Sequence, residues 1–455
     1  MAKKSKGSAK PTLAELSALE QINLNAAGLD VGDDEIWACV PVGRDEASVR
    51  SFPTFTADLH QLADWLAECK VDTIAMEATG VYWIALFEIL EDHGFEVYVV
   101  NPRYLKNVAA QKTDVLDCQW IQQLHTYGLL RPSFQPPEQI AALRAVVRQR
   151  DMLVRYRAAH IQHMQKALQL MNLKLTNVLS DITGVTGMLI LRAIVAGEHN
   201  PKVLAQYRDP GCKKSEEEIA KSLEGNYRRE HLFALKQALQ LYETYGAQIR
   251  ACDDELATMY DSMDTVDSDI EPPKPKSGKR RKNQAYFDVA SELHRVVGVD
   301  LTQIDGIDAL TAQKVLVEIG WDMSKWRTVK HFTAWLRISP RKKVSGSKVI
   351  GRTSNKTQNP ATQALRVAAQ SLARSDSALG AFYRRIKARH GAQQAVAATA
   401  HKLARIIYTM LKNHTSYIDP GPDYYEQRYR DRTIRNLEQK AAKYGLQLVP
   451  TTSVS

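Results

Sequence analysis

Aspartate and glutamate are missing altogether from Met323 to Arg374, although twelve lysines and arginines fall in the same stretch. The run also holds Trp326, Phe332 and Trp335, so it reads as a folded surface of one sign, and such a surface points toward a phosphate backbone. Cysteine is sparse as well. The five residues Cys39, Cys69, Cys118, Cys212 and Cys252 are odd in number and form no CxxC pair. That argues against a zinc ribbon and a disulfide framework and fits a reducing cytoplasm. No apolar run approaches the roughly 20 residues needed to cross a bilayer, so no membrane partner is expected. The opening "MAKKSKGSAKP" leads into mixed sequence rather than a greasy core, which sets aside a secretory signal and leaves a disordered basic tail over residues 1–22. What is present is size and charge. The 455 residues exceed one compact core, so two or three domains are expected. A net charge of +10 and a pI near 9.2 favour an anionic partner.

Residues 23–132 alternate strand-like and helix-like segments. "NAAGLDV" and "EIWACVPV" read as strands around the turn "GDDE", and "VRSFPTF" as a third. "ADLHQLADWLAEC" has helical spacing, "VDTIAME" is a short buried strand, "VYWIALFEILEDHG" is a helix ending at Gly94, and "FEVYVV" is a further strand. The series predicts an α/β domain with a mixed sheet. Residues 133–264 then become helix-compatible throughout, as a helical hairpin or coiled coil. The segment 265–285 contains "PPKPKSGKRRK" and reads as a basic flexible linker. Residues 286–418 return to helix around one non-helical insert, "SPRKKVSGSKVIGRTSNKTQNP", and a polar tail follows over 419–455.

Two constellations carry chemistry. Asp30 lies in the first strand in "GLDVG", Glu77 closes a buried strand in "AMEATG", and Asp114 and Asp117 sit three apart in "KTDVLDCQW". Open α/β sheets place their sites at strand ends. Four carboxylates from three elements would need a positive partner, and Mg²⁺ or Mn²⁺ is the natural one for carboxylate oxygens. Taken alone, Asp114 and Asp117 are more simply a helix start favoured by the dipole. An aspartate flanked by apolar residues in a strand shifts the balance. Asp33, Asp34 and Glu35 read as a hairpin turn. The second constellation is "RKKVSGSKVIGRTS". Here a serine lies among Arg341, Lys342, Lys343, Lys348 and Arg352, a setting for covalent attack on phosphorus or, equally, for gripping a nucleic-acid backbone. In "LTQIDGIDALTAQKVLVEIG", Gly306 lies in a helix-hairpin-helix-like turn, either offering amides to phosphate or only packing. His160 and His163 in "HIQHM" lack a third ligand. His401, Arg405 and Tyr408 share one helical stripe, which reads as core.

With these residues named, the chain resembles the DEDD transposases of the insertion-sequence one-ten family, the bridge-RNA-guided recombinases. "GLDVG", "MEATGVYW", "VYVVNPRYLKNVA" and "KTDVLDCQW" match the N-terminal domain in order. "IDGIDALTAQKVLVEIG", "FTAWLRISPRKKVSGSKVIGRTSN" and "HKLARIIYTML" are similar to the C-terminal transposase domain. The resemblance implies a RuvC-like (RNase H-like) first domain, then a helical coiled-coil region and a mainly α transposase domain. It implies Asp30, Glu77, Asp114 and Asp117 as the Mg²⁺ tetrad and Ser345 as the nucleophile that becomes joined to DNA. Lys112 joins the basic residues of the serine loop as nucleic-acid-binding. Target and donor DNA, a structured noncoding guide RNA and a homo-oligomer, a dimer assembling to a tetramer, are the implied partners, in a bacterial cytoplasm at the nucleoid. Asp308 stands where the family usually has a second glycine, "NKTQNP" replaces a glycine-containing turn, and residues 165–285 are longer than in compact members.

The expectation is therefore an RNA-guided DNA transposase working through phosphoserine. A RuvC-type nuclease that hydrolyses structured DNA, with the serine loop only binding, is the alternative. A non-catalytic nucleic-acid-binding protein with a degenerate tetrad is the second.

Overall fold

The computed structural model describes residues 19–102, 114–274, 282–339, 341–345, 348–353 and 359–449; for residues 114–116, 341–345, 348–353, 425 and 426 it describes the backbone alone. The chain divides into two compact units, Met1–Gln135 and Pro136–Ser455.

The first unit is built on a five-stranded sheet. Its elements are β1 (Ala26–Val31), β2 (Glu35–Cys39), β3 (Val49–Pro53), α1 (Thr56–Glu68), β4 (Thr73–Glu77), α2 (Trp83–Asp92), β5 (Glu96–Val100) and α3 (Asp114–Thr126). The strand order is β3-β2-β1-β4-β5. The first three strands form an antiparallel meander, while β4 and β5 run parallel to β1. This is the mixed sheet that the sequence predicts, in the predicted order of hairpin, strand, helix, strand, helix, strand.

Side-chain alternation divides the sheet into two faces. Ala27, Leu29, Val31, Ile74 and Met76 point into one core, which α1 and α2 close with Leu62, Leu66, Leu86 and Leu90. The buried positions of α1 are Leu59, Leu62, Ala63, Trp65 and Leu66, a stripe at helical spacing. Ala75 and Val100 point to the opposite face, where Ile121 and Leu124 of α3 cover them. Gly94 ends α2 region by adopting φ +85°, a conformation that suits glycine.

Among the described residues, the regular structure of the second unit is helical except for one hairpin. Its longest elements are α4 (Glu138–Leu170) and, after α5 (Leu175–Val178), α6 (Val185–Ala196), α7 (Pro201–Ala205) and α8 (Glu216–Ser222), the helix α9 (Arg229–Asp261). At 33 residues each, α4 and α9 are about 50 Å long. They run antiparallel, because Arg150 meets Asp253, Tyr156 meets Tyr245 and Arg157 meets Tyr242. The C-terminal half of α4 and the N-terminal half of α9 close a core with α6 and α8 through Met164, Leu168, Ile190, Ile219, Leu235 and Leu239. The capping box at Ser215 and Glu218 starts α8.

The rest of the unit comprises α10 (Val289–Val297), α11 (Ala309–Ile319), α12 (Val329–Trp335), β6 (Arg341–Ser345), β7 (Lys348–Thr353), α13 (Pro360–Ser371), α14 (Ala378–His390), α15 (Ala392–Asn413) and α16 (Gly421–Ala442). The non-helical insert expected from sequence is thus an antiparallel hairpin, β6-β7. The polar stretch from residue 419 carries a 22-residue helix, α16. Arg148 of α4 forms a two-pronged pair with Glu318 of α11, both bonds 2.7 Å long. Lys314 adds a 2.8 Å pair with Asp151. The hairpin of long helices is therefore tied to α11 by charge.

Candidate active site

The register of the first unit decides which carboxylates meet. In the parallel β1–β4 pair, Gly28 stands beside Ala75 and Leu29 beside Met76. One residue further along, Asp30 and Glu77 come level at the C-terminal ends of neighbouring strands. On its other side Asp30 pairs with Trp37. Alternation puts Asp30 on the face of Gly28, and Glu77 on the face of Thr73 and Ala75, which is the α3 face for both.

Close approach positions α3 there. A Cβ on Gly28 would lie 2.4 Å from the Cys118 carbonyl and 2.2 Å from the Gln122 amide nitrogen, so only glycine lets the helix backbone sit this low. The Gln122 side chain donates to the Ala26 carbonyl at 3.2 Å, and the amides of Ile22 and Asn23 donate to the Thr126 carbonyl. The helix therefore runs antiparallel to β1. Its first turn, which begins at Asp114 and contains Asp117, lies toward the Asp30 end.

Two further contacts pin it. Buried His125 shares a 2.9 Å hydrogen bond with the Thr73 hydroxyl and lies 4.6 Å from the Tyr98 ring. Burial pushes its pKa down to about 4, so it stays neutral. The Cys118 thiol packs against Cys39 of β2. Its pKa is raised first by the hydrogen bond with Cys39, then by burial, with a smaller push from the charge of Asp30.

Asp30, Glu77 and Asp117 are half-buried. Among the described residues no three His, Cys, Asp or Glu side chains converge as a metal-holding group. The Asp114 side chain and the whole of Lys112 lie outside the described residues. The donor type is still that of a hard divalent cation: Asp30 and Glu77 stand toward the C-terminal ends of β1 and β4, Asp117 lies in the first turn of α3, and all offer carboxylate oxygens.

In the second unit, Ser345 is the last residue of β6 and pairs with Lys348, the first of β7. The register shifts between Lys343 and Val344, a bulge of the kind that re-aims strand residues. Arg341, Lys342, Lys343, Lys348 and Arg352 all lie in the two strands, where the backbone alone is described. The turn at Gly306 adopts φ +83° and packs on α13, where a Cβ would meet the Ala368 carbonyl at 2.9 Å. Asp308 accepts the Thr311 amide at 2.8 Å, occupying a donor that a phosphate would use. Burial raises the pKa of neighbouring Asp305, with the charge of Asp419 adding to it. Packing is the role these contacts describe for this turn.

The histidine and tyrosine stripes are structural. His160 stacks on Tyr245 at 5.4 Å and meets His163 edge-on. Tyr408 is buried and donates to the Trp326 carbonyl at 2.8 Å.

Residues 27–173 match a transposase family defined by the DEDD domain of IS110 elements, and residues 300–384 match the transposase IS116/IS110/IS902 family. The chain belongs to the IS110 transposase family. No curated protein matches it. The enzyme is accordingly a DNA transposase of an insertion sequence, its substrate is DNA, and its DEDD domain is of a kind that depends on divalent metal. The first unit of the transposase is the RuvC-like domain, and the helical remainder carries the transposase domain. No helix among the described residues is long and apolar enough to cross a membrane.

Sequence reasoning named the carboxylates but missed what holds them. Gly28 is visible in "GLDVG", yet only the fold gives it a partner in α3, 90 residues on. His125 carried no signal, because a lone histidine in a helix is ordinary until Thr73 and Tyr98 are brought to it.

Proposed function

We propose that the transposase cuts and rejoins target and donor DNA through a covalent phosphoserine, with Asp30, Glu77, Asp114 and Asp117 as a Mg²⁺-holding tetrad and Ser345 as nucleophile. The observation that supports this reading is the register that sets Asp30 level with Glu77 at the strand ends, under the first turn of α3. A divalent cation there would polarise a phosphoryl oxygen and offset the charge that develops on it. Mn²⁺ shares the ligand preference and would substitute.

Each step conserves atoms. The Ser345 hydroxyl oxygen bonds to phosphorus as one bridging P–O ester bond of the strand breaks. Its proton passes to solvent or a basic group, and the departing oxygen leaves as a strand hydroxyl. A hydroxyl from the partner strand then attacks the phosphoserine and releases Ser345 unchanged, so no energy source is consumed. Arg341, Lys342, Lys343, Lys348, Arg352 and Lys112 hold the backbone of the strands by charge. A structured guide RNA pairs with both DNAs and carries the sequence specificity, as in other RNA-guided systems. The tetrad of one copy works with the serine of another in a tetramer assembled from dimers, at the bacterial nucleoid. In domain terms, 23–132 supplies the tetrad, 133–264 the helical region, 265–285 a linker and 286–418 the serine hairpin.

The test is Ser345→Ala with labelled donor and target DNA, alongside sequencing of RNA that copurifies with the wild-type protein. The expected result is complete loss of detergent-resistant protein–DNA adducts and of recombination, and a discrete noncoding RNA in the preparation. Cleavage at full rate by the variant would establish the hydrolytic nuclease instead.

A further inference from the structure

A cleft of about 520 Å³ opens in the helical region, between the middle of α9, the start of α6 and the segment at 282–286. Except for Arg157, its lining lies outside both matched family segments, so the family assignment gives it no role. Four cations, Arg157, Arg192, Arg250 and Lys282, face two carboxylates, Asp181 and Glu243. Two aromatic rings stand among them. Arg157 lies over the Tyr242 ring at 5.6 Å and Arg250 over the Tyr286 ring at 4.8 Å. The carboxylates are already engaged, Asp181 with Lys282 at 3.1 Å and Glu243 with Arg192 at 2.7 Å. Tyr286 is 42% exposed.

The floor is Gly246. A glycine in the interior of a 33-residue helix is less favourable than alanine there. Packing does not require it here, since a Cβ would meet only the tip of Arg157, at 3.8 Å. What the missing side chain provides is open space between the rings and the guanidinium groups. Gly184, the N-cap of α6, is also on the wall and has no side chain to cap the first amides. The positive end of that helix therefore adds to the cationic field.

We infer that this cleft binds an unpaired nucleotide of a nucleic-acid strand, its base against Tyr242 or Tyr286 and its phosphate among Arg157, Arg192, Arg250 and Lys282. The volume lies within the roughly 300–1,000 Å³ of small-ligand sites. Planar aromatic and guanidinium groups beside a cationic wall are the groups that hold splayed bases. A paired base within a duplex cannot enter, so the cleft selects loops, bulges and ends. The inference stands apart from the tetrad and Ser345: the Ser345→Ala protein keeps this binding, so the two readings fail separately.

The test uses the full chain and fluorescein-labelled hairpins, one an uninterrupted duplex and one carrying a single unpaired nucleotide, each made as RNA and as DNA. Wild type is expected to prefer the bulged hairpin. Gly246→Leu fills the floor without removing a charge, and should weaken binding of the bulged form about 10-fold while changing the plain duplex less than about 2-fold. Gly246→Ala should bind as wild type. Tyr286→Ala is the second variant, and a 4-thiouridine at the bulge should cross-link to the peptide holding Tyr242 or Tyr286. Loss confined to RNA would assign a ribose-hydroxyl contact as well, and equal loss on RNA and DNA would assign base and phosphate alone; either supports the site. Equal affinity of wild type for the two hairpins, or unaltered bulge binding by Gly246→Leu and Tyr286→Ala, would overturn it.

Discussion

Helix α3 and helix α4 are fastened by opposite means. The first lies on its sheet through what is small and uncharged: a glycine under its backbone, a thiol pair and a neutral histidine. The second is held by charge. Arg150, 4% exposed, lies against Asp253, 0% exposed, with bonds of 2.5 and 3.2 Å, and Arg148 grips Glu318. The contrast follows from what each must carry. On the proposed reading α3 would present carboxylates to a metal, and such a helix gains nothing from buried charges that compete for the cation. A long hairpin with no sheet to rest on needs directional contacts to fix its register.

The largest effect is expected from Asp253→Ala. It leaves the Arg150 guanidinium buried without its carboxylate, and the helical unit should lose about 3–5 kcal/mol of stability in urea denaturation. The double change Arg150→Met with Asp253→Leu should recover most of that loss. Next comes Gly28→Ala. Its Cβ meets helix backbone, which cannot rotate aside, so the RuvC-like unit should lose about 3 kcal/mol. Strand cleavage should fall with it as α3 lifts.

The mildest test is pH. His125 titrates near 4 when folded and near 6.5 as an ordinary histidine, so the unfolded chain takes up the proton first. Stability from the neutral ring is complete above about pH 6.5 and is lost as pH falls toward 4, by about 2–3 kcal/mol. Thermal unfolding of the first unit between pH 7 and 4.5 should show that slope, and His125→Phe should remove it. No such histidine lies in the Arg150–Asp253 contact.

The sheet domain was legible because its signals are local. Alternating apolar residues mark each strand, and Gly94 marks the end of α2. The strand order was not spelled out by any segment, since pairing β1 with β4 rather than β3 is a long-range choice. The carboxylates were readable for a physical reason, as Asp30 among apolar neighbours demands a partner. The level placement of Asp30 and Glu77 needed the register. Cations at 341–352 marked a basic non-helical insert, but "SPRKKVSGSKVIGRTSN" reads as a loop rather than a hairpin, because glycines and lysines hide a strand pattern. The cleft around Gly246 was invisible for the opposite reason. Its residues come from four segments, and a glycine within a helical run reads only as a weak helix position.

The paired 33-residue helices also act as a ruler. Their length is set by backbone hydrogen bonds, about 1.5 Å for each residue, so the core at one end stands a fixed distance from the Arg148–Glu318 clamp near the other. Arg148 and the core residues Met164 and Leu168 are 16 and 20 residues apart on α4, about 24–30 Å, which corresponds to roughly eight base steps at 3.4 Å each. A helix also turns by about 100° per residue. Any matched insertion or deletion in α4 and α9 changes the reach and the bearing of the distal core together. Steps near seven residues (two turns, about 10 Å), eleven or eighteen preserve the bearing while altering the reach, so length variants of this transposase should be tolerated in phase and fail out of phase.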